Sequence, residues 1–71
     1  DLREADLTNA DLSQANLQDA SLTGTIFRGT NLQTTKNISL ELLGKAKTLR
    51  SAQLNQITQE TIETNFPHLL K

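Results

Sequence analysis

Few side chains of this 71-residue chain have types and spacings that could carry out chemistry. His68 is the only histidine, and it follows Pro67 in a short tail. A general base needs a nucleophile or an orienting group within hydrogen-bond reach, and no such partner is evident beside it. We interpret His68 as a surface residue and predict no catalytic residues, so the chain is not expected to be an enzyme.

Two carboxylates, Asp6 and Asp11, stand five positions apart. Paired carboxylates can bind a metal ion or act as acid and base only when both point into one cleft. The repeat described below places them on adjacent sides of the chain, pointing outward in different directions. Cysteine is absent, which excludes disulfides and Cys-based zinc sites. The sequence therefore predicts no metal site and no cofactor.

Two short motifs imitate functional signatures. Gly24 to Thr30 begins like a phosphate-binding loop, but Thr30 stands where that motif needs lysine and no helix follows directly. Asn37-Ile38-Ser39 has the form of a glycosylation site, yet Ser39 is better explained as the cap of a following helix. Neither motif is expected to be functional.

Composition and charge limit the partners. Residues 1–35 contain five acidic and two basic side chains, and residues 36–71 contain three acidic and five basic ones. No basic stripe accompanied by stacking aromatics is present, so nucleic acid is not an expected partner. No run approaches the roughly 20 apolar residues of a membrane span. We expect a cytoplasmic location, with a lumenal or periplasmic one as the alternative if a signal precedes Asp1.

A five-residue repeat over residues 1–35 must position Asp6, Asp11 and the other side chains of this half of the chain. A large apolar residue recurs at every fifth position, with a small residue two places before it. Five residues advance an α-helix by a net 140° or so, and an odd period sends successive leucines to opposite faces of a strand. The spacing instead predicts a coiled chain of short extended segments and corners. Its predicted core comprises Leu2, Leu7, Leu12, Leu17, Leu22, Phe27 and Leu32 with Ala5, Ala10, Ala15 and Ala20.

Three consecutive units match the pattern A-(D/N)-L-x-x: Ala5-Asp6-Leu7, Ala10-Asp11-Leu12 and Ala15-Asn16-Leu17. In these units the sequence resembles the pentapeptide-repeat family. The resemblance implies an all-β solenoid, a right-handed quadrilateral β-helix with four units per coil. Residues 20 apart should then stack, at a coil spacing of about 4.8 Å. We expect this domain to occupy residues 1–37, about two coils, and to continue from coils upstream of Asp1.

Four residues between Leu22 and Leu32 depart from the repeat pattern in ways that predict local structure. Thr25 and Thr30 replace inward alanines, so their buried hydroxyls must bond to backbone groups. Gly24 and Gly29 end their units and suit corners with positive φ.

Residues 38–71 are predicted to form a C-terminal cap. It should contain helices at about 39–48 and 58–66 and a short repeat-like segment at 49–54, although Gly44 offers an earlier end to the first helix. Such helices would cover the last coil and its unpaired edge. The tail from Ala46 to Leu70 also resembles C-terminal tails of cyanobacterial pentapeptide-repeat proteins.

These features favour a non-catalytic scaffold or protein-protein interaction module that binds another protein or domain. Ile26 stands at an outward position and, with Arg28, could form a partner patch or else pack against a neighbouring loop. A homodimer through an open solenoid end or the C-terminal helices is a further expectation. The alternative function is that of a DNA mimic. The family that the sequence resembles includes DNA mimics that act on type II topoisomerases such as gyrase. It is disfavoured because Asp6 should stack on Ile26 and Asp11 on Asn31, which leaves no extended acidic face.

Overall fold

The computed structural model describes the whole chain, Asp1–Lys71. It contains two α-helices, α1 (Leu40–Leu43) and α2 (Gln56–Asn65), and a 3₁₀ helix over Pro67–Leu70. No continuous β strand forms, and strand pairing is confined to five isolated parallel bridges. The molecule measures 25 × 21 × 21 Å.

Parallel bridges bring the chain back beside itself after four repeat units. Asp6 pairs with Ile26, Asp11 with Asn31 and Asn16 with Lys36, always 20 residues apart. The bonds alternate, since Leu7 N donates to Ile26 O and Ile26 N donates to Ala5 O, each at 2.9 Å. The predicted stacking of residues 20 apart is therefore confirmed. We call residues 1–20 the first coil and residues 21–36 the second coil.

A third stretch of paired chain, which we call the third coil (residues 45–54), follows α1. Here Ile26 pairs with Thr48 and Asn31 with Gln53, so the separation rises to 22 residues. In this register Leu49 takes the inward place that Phe27 has in the second coil. Ala52 N donates to Leu49 O at 2.9 Å, as Thr30 N does to Phe27 O at 3.1 Å. Paired backbone therefore extends well beyond the expected boundary at residue 37, and the repeat-like segment at 49–54 belongs to it.

The first helix is much shorter than the predicted 39–48. Ser39 caps it as expected, with its hydroxyl accepting a bond from Leu42 N, but Gly44 ends it. Beyond Gly44 the backbone pairs with the second coil, since Lys45 O accepts from Gly24 N at 3.0 Å and Lys47 N donates to Thr25 O at 2.9 Å. These bonds replace the helical ones, so the predicted range is wrong over residues 44–48, and the alternative end at Gly44 is the correct one.

The second helix begins two residues before the predicted 58, because the side chain of Asn55 caps it by accepting from Thr58 N at 2.8 Å. The helix ends at Asn65, and Pro67 opens the 3₁₀ helix. The carbonyl of Leu69 then accepts bonds from Leu49 N at 2.8 Å and from the Thr48 hydroxyl at 3.3 Å. The tail thus satisfies backbone and side-chain donors at the far end of the third coil.

The buried core lies toward the C-terminal end. Among the predicted core residues, Leu22, Phe27 and Leu32 are buried, while the inward residues of the first coil are only half-buried. Within residues 1–71 the first coil pairs only with the second, whereas the second also pairs with residues 48–53, which explains the difference. The core cluster consists of Leu22, Phe27, Leu32, Leu43, Ala46, Leu49, Ile62 and Leu69.

The inward threonines bond to backbone carbonyls, as predicted. Fully buried Thr25 and Thr30 donate to Leu2 O at 2.5 Å and Leu7 O at 2.7 Å. A third hydroxyl, that of Thr35, donates to Leu12 O at 2.9 Å. Each bond joins the second coil to the first, so these hydroxyls both fill the interior and satisfy carbonyl oxygens.

The corners of the repeat adopt left-handed backbone. Gly24 and Gly29 have φ values of +74° and +67°, which confirms their predicted role. A Cβ at Gly24 would meet the end of the exposed Glu4 side chain, and one at Gly29 would meet the Asn9 side chain, so a larger residue at either corner would also require its neighbour to move. The first coil has non-glycine residues at the equivalent corners, with φ between +60° and +69°: Glu4, Asn9, Gln14 and Asp19.

Candidate interaction surface

The residues considered for chemistry do not form a catalytic arrangement. His68 is exposed and makes no side-chain hydrogen bond. No group of three or more His, Cys, Asp or Glu side chains lies close enough together to hold a metal ion. None of the helices has the length and apolar character needed to cross a membrane.

Asp6 and Asp11 stabilise corners of the first coil through side-chain hydrogen bonds. Asp6 Oδ1 accepts from Thr8 N at 3.0 Å and from the Thr8 hydroxyl at 2.5 Å. Asp11 Oδ1 makes the same pair of bonds to Ser13, at 2.9 and 2.6 Å. Asn16 accepts from Gln18 N at 3.0 Å in the next unit. The structure pairs Asp6 with Ile26 and Asp11 with Asn31 rather than with each other.

These bonds make stability depend on pH. The hydroxyl and amide of Thr8 lower the pKa of Asp6, with a smaller contribution from the Arg28 charge, and the corresponding bonds from Ser13 lower the pKa of Asp11. A carboxylate whose folded pKa is depressed contributes stability above its unfolded pKa of about 3.9, and this contribution is lost as pH falls through the folded value. We expect the urea midpoint to fall on acidification below about pH 4.

The matched variant is the double substitution Asp6→Asn and Asp11→Asn. Asparagine keeps the Oδ1 acceptor, as Asn16 shows, but does not titrate. Its urea midpoint should fall less steeply than that of the wild type between pH 6 and pH 2. Superimposable pH profiles of the two proteins would contradict this assignment.

The predicted patch residues differ in exposure. Ile26 is half-buried, and its backbone is bridged on both sides, to Asp6 and to Thr48. Arg28 is exposed. A partner patch around these two residues stays a prediction.

An apolar surface that sequence reasoning missed lies between the two α-helices. Ile57 is 73% exposed and, with Ile38 and Leu40, lines an open groove of about 470 Å³. Ile57 and buried Ile62 are five residues apart, so they point about 140° apart around α2. A predicted helix that started at Gln56, and so included Ile57, would have revealed this orientation.

We call the edge of the first coil that faces away from the second coil the open end, because none of residues 1–71 pairs with its backbone amides. In the second coil Ile26 N, Asn31 N and Lys36 N donate to Ala5 O, Ala10 O and Ala15 O at 2.7 to 2.9 Å. The equivalent first-coil amides have no backbone acceptor; they are those of Asp6, Asp11 and Asn16. The open end therefore combines half-exposed apolar side chains with unpaired backbone groups.

Comparison with known proteins agrees with the repeat geometry. The family model described as pentapeptide repeats matches residues 1–36, with eight copies. No curated protein and no solved structure matches the chain. The similarity of the tail to cyanobacterial proteins stays a prediction. A match over half of the chain, on units that return beside themselves every fourth repeat, shows that the chain belongs to the pentapeptide-repeat family.

Proposed function

We propose that this chain is a non-catalytic scaffold or protein-protein interaction module whose repeats build a right-handed, four-sided β-helix. Four units separate each pair of bridged residues in the first two coils. A left-handed corner ends each of the first six units, which fits one unit per side. Repeat proteins of this kind present extended surfaces on which other proteins can dock.

One observation carries the functional proposal: the side chains that could do chemistry are engaged in building the coil. Asp6 and Asp11 hold corners, and the buried hydroxyls of Thr25 and Thr30 bond to backbone carbonyls. No buried side-chain nitrogen or oxygen lacks a partner. Side chains engaged in these bonds are not free to act as a nucleophile or as a general acid or base, which supports a binding role.

Capture experiments with folded surface variants test the proposal. The tagged full chain and the single variants Gln14→Arg, Arg28→Glu and Gln33→Lys, all at exposed positions, would be used to capture proteins from the native source. We expect at least one variant to lose a defined protein while its circular dichroism spectrum stays unchanged. The proposal is overturned if all folded variants capture the same proteins as a disordered chain of matched composition.

No observation favours the DNA-mimic alternative. Mimicry of duplex DNA needs an extended negative field, whereas residues 21–40 contain no acidic side chain. Dose-dependent inhibition in a gyrase supercoiling assay would reverse this preference.

A further inference from the structure

Two arginines occupy equivalent positions in the second and third coils. The bridge between Ile26 and Thr48 sets the register, and two residues further on Gly29 N donates to Arg50 O at 3.0 Å. Arg28 and Arg50 therefore lie on neighbouring paired backbones, which are about 4.8 Å apart. Both side chains are exposed, so two positive charges are presented next to each other on one side of the coil.

A third cation, Lys47, lies at the start of the same side. Its amide donates to Thr25 O at 2.9 Å, which places Lys47 across from the residue that precedes Ile26, and its side chain is exposed. The surface that these cations share with the residues between them has a defined membership. We call it the basic face, and it consists of Ile26, Arg28, Lys47, Thr48 and Arg50.

The basic face has no acidic residue in its own coils. Residues 21–40 and 42–59 contain no Asp or Glu, and none of the three cations forms an ion pair. In the first coil Asp6 is near enough for the Arg28 charge to contribute to the lowering of its pKa, so an acidic coil borders the face on that side. The positive surface therefore extends over two coils, or about 10 Å.

Ile26 adds an apolar group to this charged surface. Every other unit of the repeat has a polar residue at the position of Ile26: Asp1, Asp6, Asp11, Asn16, Ser21, Asn31 and Lys36. Ile26 is half-buried, so part of its side chain meets solvent although its backbone is bridged on both sides. An apolar group among unpaired cations is complementary to a partner that combines an apolar side chain with carboxylates.

We propose that the basic face binds a short acidic polypeptide segment, in which an apolar side chain packs on Ile26 and flanking carboxylates pair with Arg28, Lys47 and Arg50. This inference rests on the proposed interaction function and names the partner's chemistry. Arginine suits such a partner because its guanidinium group can donate two parallel hydrogen bonds to one carboxylate. The face is formed by the second and third coils, so it does not depend on what adjoins the first coil.

Nucleic acid and a second copy of this chain are poorer occupants. Binding of duplex DNA neutralises many phosphates along a basic surface, whereas this face has three cations and borders an acidic coil. Phe27, the aromatic residue of these coils, is fully buried and cannot stack on a base. In a second copy, Asp6 and Asp11 already accept corner hydrogen bonds.

A set of short peptides provides the test. The probe is the synthetic peptide Gly-Ser-Glu-Glu-Leu-Glu-Glu-Ser-Gly with blocked ends. One control has glutamine in place of each glutamate, which removes the charge, and a second has serine in place of leucine, which removes the apolar group. A single-stranded oligothymidine with the same number of charges tests whether any polyanion binds equally well.

Binding to the isotope-labelled full chain would be measured by NMR titration. We expect the glutamate peptide to shift the amide signals of Ile26, Arg28 and Arg50. It should bind about tenfold more tightly than the glutamine peptide at low salt, because three exposed ion pairs each contribute modestly. Its advantage should be much smaller at about 500 mM salt, where exposed charges are screened. The serine control should bind several-fold more weakly than the probe.

Variants of the protein locate the site. Arg50→Gln should weaken binding of the glutamate peptide several-fold. Arg50→Lys keeps the charge but not the paired hydrogen bonds, so its loss should be smaller. Lys36→Gln removes the same charge from an exposed position two repeat units away from the basic face and should leave binding unchanged. Circular dichroism would confirm that all three exposed-site variants are folded.

Equal binding of the glutamine peptide, equal or tighter binding of the oligothymidine, equal effects of Arg50→Gln and Lys36→Gln, or sedimentation showing that copies of the chain associate through the basic face would each overturn the inference. The capture experiment with surface variants remains independent of this result. If Gln14→Arg or Gln33→Lys loses a captured protein but the glutamate peptide does not bind, the interaction function stands and only the proposed site and partner chemistry fail.

Discussion

Leu32→Arg is expected to prevent this chain from folding. Leu32 is 3% exposed, and its amide donates to Gln53 O at 2.8 Å between the second and third coils. An arginine there would place an unpaired charge between two coils, at a cost of several kcal/mol. A chain of 71 residues has a total stability of only about 4 to 11 kcal/mol. Far-ultraviolet circular dichroism and amide dispersion in NMR spectra would show the loss of structure.

Two arginine substitutions serve as comparisons for this experiment. Gln14→Arg lies at an exposed corner and should change the free energy of unfolding by no more than about 0.5 kcal/mol. The repeat pattern alone predicts that Leu12→Arg also abolishes folding, but Leu12 is half-buried at the open end. Its long side chain could reach water there, so we expect an intermediate loss. Equal effects of all three substitutions would contradict the assignment of inward and outward positions.

Gly44→Ala is expected to destabilise the chain by about 1 to 3 kcal/mol, although the backbone at this residue suits alanine. Gly44 has φ −63° and ψ −15°, where helix propensity alone favours alanine by about 1 kcal/mol. A Cβ at this position, however, would point into the ring of Phe66. Moving that ring would disturb the junction of α2 and the 3₁₀ helix, where Phe66 N donates to Ile62 O at 2.8 Å. The free energy of urea unfolding measures the effect.

A double-mutant cycle separates the contact with the Phe66 ring from other causes of destabilisation by Gly44→Ala. Phe66→Leu removes the ring, so adding Gly44→Ala to that variant should cost clearly less than it does in the wild type. The coupling between the two sites should be on the order of 1 kcal/mol. Additive effects, or a more stable Gly44→Ala single variant, would show that the ring does not limit this position.

The five-residue period predicted a coiled chain, and the family resemblance added the expectation of four units per coil. Each unit repeats the same local requirements, an inward Leu or Phe, a small inward residue and a left-handed corner, so the pattern in one unit applies to the next. With four units per coil, the pairing of Asp6 with Ile26 could be predicted, and the inward position of Thr25 required a backbone acceptor for its hydroxyl. The absence of catalytic residues stays a prediction.

Prediction failed where distant residues compete for the same backbone. The stretch after Gly44 has helical spacing of apolar residues, but Lys45 and Lys47 bond instead to the second coil. The exposure of Ile57 was not predicted for the same reason. It depends on where α2 starts and on which face of the helix the coils cover. Local patterns do not contain this information.

The sequence by itself determined which side chains of the repeat face inward. That assignment follows from the five-residue period and does not depend on how the rest of the chain packs. Only the tertiary structure decided how deeply each one is buried, how far the coil extends and where it is closed. Phe27 is buried because it has a coil on both sides. The third coil is stabilised by the backbone pairing of residues 45–54 with the second coil and by the bond from Leu49 N to Leu69 O. Leu2 and Leu7 repeat the pattern too, but among residues 1–71 only the second coil packs against them, and they are half-buried.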